Sequence, residues 1–116
     1  MDLLILLALL DVQLVVNPPV CKEPYHPAGL YENSIVTVCV REGVDTKTTI
    51  KHELIHHGQA CVGDGVLREG VDYLSEDFPY LAYDPEDWDT EAEARVLADE
   101  LSQTQLTWLL SWACNR

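Results

Sequence analysis

The segment "TTIKHELIHHGQAC" (residues 48–61) decides how this chain is read. Three of the four histidines in the sequence fall within six consecutive positions of it, beside a glutamate. Asp45 or Thr46 can cap a helix that runs to about residue 61, with Gly63 and Gly65 ending it. On such a helix Thr48, His52, Ile55, His56 and Gln59 share one face, and Ile50, Leu54 and Cys61 lie on the adjacent one. His52 and His56 are four positions apart, so both rings project from the same side about one turn apart. Two imidazole nitrogens so placed can reach one zinc ion at about 2.0–2.1 Å. Glu53 sits beside the first ring, where a carboxylate can act as general base on a water activated by the ion. His57 is turned by about 100° from His56 and cannot reach the same ion.

The competing reading is an amphipathic helix with two incidental surface histidines. It is the weaker one, because the five positions lie inside a segment with its own cap and apolar spacing rather than in a loop or across a proline. Two histidines do not complete a site, since zinc needs a third protein ligand and an open fourth position. His26 lies upstream in a proline-rich loop, and no histidine follows residue 57. The third ligand is therefore expected among the downstream carboxylates.

His52-Glu53-Leu54-Ile55-His56, followed by "TEAEAR" at residues 90–95, resembles the zincin metallopeptidases of the gluzincin type. The plan is similar to that of small, minimal metallopeptidase domains of phages and bacteria. The likeness spans residues 29–98, and its sharp motifs cover only about ten positions. It implies one bound Zn2+, a peptide or protein substrate, and a minimal zincin-like α/β (α+β) fold. That fold packs a small β-sheet on the motif helix and adds a C-terminal helix carrying the third ligand. The first glutamate of an E-x-E-A pattern ligates in that family, which maps to Glu91. Helix phase agrees, since Glu91 lies one turn before Ala94 and continues the Ala94–Leu97–Leu101 face. Glu93 is instead suited to a T-x-x-E capping box with Thr90, although Glu93, Asp84 and Asp87 remain alternatives as ligand. Arg95 stands where an aspartate is frequent, which leaves the partner that orients a histidine ligand unassigned. Tyr83, or Tyr80, could donate a phenol to the developing oxyanion, and Gln59 could touch a ligand or the neighbouring helix. The likeness also gives "GLYENSIVTVCV" (residues 29–40) as the edge strand above the cleft, with residues 35–40 free to pair with an extended peptide.

Outward from the motif, residues 3–10 are leucine-rich and read as a short buried helix. Residues 12–16 read as a strand stopped by Asn17-Pro18-Pro19, residues 17–34 as a turn-rich connection, and residues 34–40 as a second strand. Residues 62–90 are punctuated by Gly63, Gly65, Gly70, Pro79 and Pro85, with a short helix possible near "GVDYLSEDF". One long helix is expected from Thr90 to about residue 114, with Ala94, Leu97, Leu101, Gln105 and Trp108 on its inner face.

The chain has 116 residues, which fits a single domain over 1–116. Its 47% hydrophobic and 23% charged content is that of a globular protein. A formal net charge of -13, with only seven basic residues, argues against nucleic acid as a partner. No apolar run approaches the roughly 20 residues needed to span a bilayer, and the N-terminal run lacks a basic flank and a small-residue cleavage pattern. A monomer in the cytoplasm of a bacterium or phage-infected host is expected, secretion being the alternative. Cys21, Cys39, Cys61 and Cys114 show no C-x-x-C pairing, and are expected as reduced, buried thiols, though an even count permits two disulfides. Three functions follow: a zinc metallopeptidase with Glu53 as base, a catalytically silent zinc-stabilised structural or interaction module, or an acidic inhibitor or binding protein whose motif is vestigial and holds no zinc.

Overall fold

In the computed structural model, which describes residues 3–68 and 88–115, the leucine run forms helix α1 (Leu3–Leu9). Leu3, Leu6 and Leu7 recur at helical spacing and are buried in the common core. Strand β1 (Gln13–Val16) follows, then a 3-10 turn at Pro19–Lys22. Strands β2 (Gly29–Glu32) and β3 (Ile35–Val38) form a hairpin. Asn33 and Ser34 between them take φ of +51° and +64°, the two left-handed residues of a two-residue hairpin turn.

The sheet order is β1-β3-β2, with β1 parallel and β2 antiparallel to β3. Gln13 pairs with Ile35 on one side of β3, and Glu32 pairs with the same residue on the other. The central position of β3 corrects the expectation that residues 35–40 offer a free edge. A two-residue turn folds β2 back onto β3 and occupies that side. Among the described residues the edge on that side is β2, within the segment read as turn-rich connection.

Helix α2 (Thr46–Cys61) carries the histidines, and Asp45 caps it by accepting from the Thr48 N–H. Its buried Leu54 and Ile55 meet Val36 and Val38 of β3 in one core cluster. Gly58 lies at a close approach to the last helix: a Cβ there would lie 2.5 Å from Leu110 Cδ2 and 3.2 Å from Leu67 Cδ1. Glycine lowers helix propensity, so its place in mid-helix reflects this contact.

The single long C-terminal helix is corrected to two, α3 (Trp88–Glu100) and α4 (Gln103–Cys114). Ser102 is the reason. Its hydroxyl accepts from the Gln105 N–H, and the Gln105 side chain accepts from the Ser102 N–H, a complete capping box. Lys51 of α2 donates to the Leu101 carbonyl at the break. The break resets the helical phase, so Leu106, Leu110 and Ala113 face inward while Trp108 is 76% exposed. Thr90 lies inside α3, and Glu93 turns into the interior with no exposure, so the expected Thr90–Glu93 cap gives way to a buried role for Glu93.

The expectation of reduced cysteines is overturned. Cys21 pairs with Cys39 and Cys61 with Cys114, at Cα separations of 5.6 Å and 5.0 Å. The first bond ties the 3-10 turn to the end of β3, and the second joins the C-terminal ends of α2 and α4. The short helix expected near residues 70–78 lies outside the described residues, as do Tyr80, Tyr83, Asp84 and Asp87. Among the described residues no helix is long and apolar enough to cross a membrane.

Candidate metal centre

The i, i+4 spacing on α2 brings the rings of His52 and His56 within 4.9 Å, centroid to centroid. Helix α3 packs against α2 and delivers Glu91 between them. Glu91 Oε2 lies 3.3 Å from His52 Nε2, and Oε1 lies 2.9 Å from His56 Nε2. These distances test whether a metal fits. Bonds of 2.0–2.2 Å around a tetrahedral ion put neighbouring donor atoms about 3.3–3.6 Å apart. The His52–Glu91 separation matches the short end of that range and the His56–Glu91 separation is a few tenths of an ångström shorter, and the donor set of two imidazoles and a carboxylate suits zinc. Ligand atoms of His52, His56 and Glu91 all lie within 4.8 Å of one another, so the three could hold a metal ion.

Without an ion the cluster is held by charge. Burial alone would raise the Glu91 pKa, but hydrogen bonds from His52 and His56, with their charges, hold it down at about 2. Burial likewise opposes the charged form of His56, and its contact with Glu91 outweighs this to raise its pKa. Glu53 points into the same cleft and is 7% exposed. Burial pushes its pKa up, with Glu91 adding to the rise while the two histidines oppose it. A raised pKa suits a group that takes a proton and later returns it. Strand β2 presses on this carboxylate: a Cβ on Gly29 would lie 2.7 Å from Glu53 Oε2 and 2.6 Å from Thr49 Cγ2.

The cleft holds about 480 Å³. Gly29, Leu30 and Tyr31 of β2 form one wall, α2 forms the floor, and Asp64, Thr90 and Glu91 line the rest.

Gln59 lies one turn after His56, and its Oε1 is 2.8 Å from His56 Nδ1. Its Nε2 donates to the Thr90 carbonyl at 2.9 Å and to Glu93 Oε1 at 3.1 Å. Glu93 also accepts from the backbone N–H groups of Leu67 and Arg68. These bonds supply the partner that the sequence left unassigned for a histidine ligand. Glu93, the alternative ligand, stands behind Gln59 rather than in the donor cluster. Single-sequence reading singled out Gln59 but had no signal linking it to Glu93, 34 residues away.

His57 faces away from the cluster. The Ser34 N–H donates to the Tyr31 hydroxyl, which lies 2.8 Å from His57 Nδ1. Burial lowers the His57 pKa, which fits a neutral ring accepting from the phenol. Tyr31 lines the cleft, within the 29–40 segment given as the edge strand above it, though no role was assigned to its phenol. Two further groups, Cys21–His26–Cys39 and His57–Cys61–Cys114, have metal-like proximity, but their thiols are spent in disulfides. Compared with protein-family models, curated proteins and solved structures, the chain finds no match.

Proposed function

We propose that the chain is a minimal zinc metallopeptidase of zincin-like plan, in which His52, His56 and Glu91 hold one Zn2+ and Glu53 is the general base. The observation that carries this reading is the convergence of Glu91 on both histidine Nε2 atoms, at 3.3 Å and 2.9 Å, beside a buried Glu53. A zinc ion held there supplies Lewis acidity, lowering the pKa of water to about 7 and polarising a carbonyl. Glu53 takes the proton of the attacking water and delivers it to the leaving nitrogen as the amide bond breaks. The side of β2 left unpaired among the described residues can pair with an extended peptide, laying it across the cleft above Glu53. Tyr83 stays a proposed oxyanion donor.

A silent, zinc-stabilised module fits less well. Structural zinc sites are closed by four protein ligands, whereas three converge here among the described residues. Two disulfides already staple the fold, which leaves little for a metal to add. The same bonds favour an oxidising compartment over the cytoplasm expected from sequence. The substitution Glu53→Gln tests the reading: zinc is retained, and hydrolysis of an unfolded protein substrate falls by about 10²–10⁴-fold. Undiminished hydrolysis in that variant contradicts Glu53 as the base.

A further inference from the structure

We infer that Gln59 and Glu93 form a positioning relay that fixes His56 for metal binding and couples it to the chain leaving α2. The inference rests on His52, His56 and Glu91 holding a metal ion.

Gln59 is 3% exposed and Glu93 is fully buried, so their polar atoms must be satisfied by protein groups. Only one orientation of the Gln59 amide does this. Its NH2 must face the Thr90 carbonyl and the Glu93 carboxylate, both acceptors, so its oxygen must face His56. An acceptor at 2.8 Å from Nδ1 holds a ring proton there, so Nε2, beside Glu91, is the nitrogen that gives up its proton to accept the ion. The relay thus selects one tautomer and one ring orientation. A neutral amide does this without adding a third carboxylate beside Glu53 and Glu91. The charge sits one step back, on Glu93, where three N–H groups hold it.

Two of those donors are the backbone N–H groups of Leu67 and Arg68, six and seven residues past the end of α2 at Cys61. Loading Nε2 makes Nδ1–H a stronger donor. The bond to Gln59 strengthens, the amide polarises, and its NH2 binds Glu93 more firmly. Metal binding therefore tightens the anchorage of residues 67–68, and anchorage of those residues tightens metal binding in return.

The test uses the intact, oxidised chain. Gln59→Met keeps the side-chain length and removes all three of its side-chain hydrogen bonds. Zinc affinity, measured by chelator competition, is expected to fall about 10–100-fold. The visible spectrum of the Co2+-substituted protein shifts, reporting altered ligand geometry. In the wild type, zinc slows hydrogen exchange at the Leu67 and Arg68 amides; in Gln59→Met it does not. Wild-type affinity and an unchanged Co2+ spectrum in Gln59→Met overturn the relay. Lost affinity with an intact exchange response overturns the coupling to residues 67–68. A wild-type chain that binds no zinc overturns the metal reading itself, and the relay with it.

Discussion

Gly29→Ala perturbs the contact of the sheet edge with the proposed base, together with the Thr49 methyl beside it. A Cβ on residue 29 would lie 2.7 Å from Glu53 Oε2, where ordinary contact begins at 3.4 Å, so the carboxylate must retreat by about 0.7 Å. The far end of a glutamate moves cheaply, and the cost in stability stays at or below about 1–3 kcal/mol. Catalysis is more sensitive, because a misplacement of about 1 Å can cost 10²-fold. The expected loss in kcat/KM is therefore about 10–100-fold, measured with a dye-quenched unfolded protein. The Cβ meets none of His52, His56 or Glu91 among its nearest atoms, so zinc stoichiometry stays unchanged. Gly65→Ala, with nothing within 4 Å of the added Cβ, is the inert control. If Gly29→Ala binds one zinc and turns over within about twofold of wild type, the placement of Glu53 by β2 is wrong.

The metal-free protein carries a pH signature of the same cluster. The Glu91 pKa falls from 4.5 to about 2, so its stabilisation is present above pH 4.5 and lost as pH falls through about 2. The His56 pKa is raised above 6.5, so its share is full below pH 6.5 and lost as pH rises through the folded value. The difference in Tm between metal-free wild type and Glu91→Gln is thus largest between pH 4.5 and 6.5; a pH-independent difference contradicts the pairing. Gly58→Ala forces a Cβ to 2.5 Å from Leu110 and is expected to cost about 1–3 kcal/mol in urea melts, despite the helix propensity gained. Replacing Cys61 and Cys114 with alanine opens a loop of 53 residues, and chain entropy sets the loss at about 4 kcal/mol, read from the same melts.

What could be read from sequence was what depends on local spacing. The cap at Asp45, the shared face of His52 and His56, and the end of α2 near Gly63 all follow from residues within a few turns of one another. Glu91 was reachable because its helical phase continues an apolar face. The misread elements depend on contacts that cross the chain. Strand β2 is short and rich in turn formers at both ends, so its strand character shows only once β3 pairs with it. The break at Ser102 carries a capping signal, S-x-x-Q, hidden inside an otherwise uninterrupted helical pattern. The disulfides leave no trace in cysteine spacing, since their partners stand 18 and 53 residues apart. The Gln59–Glu93 bond is likewise invisible until α2 and α3 pack together.

The most direct test is the zinc content of purified, fully oxidised protein after metal-replete dialysis, by elemental analysis. One zinc per chain is expected in the wild type and in Glu53→Gln, and none in His52→Ala or Glu91→Ala. With both disulfides intact, no thiolate competes for the ion. No zinc in the wild type, or full retention in Glu91→Ala, contradicts a centre built from His52, His56 and Glu91.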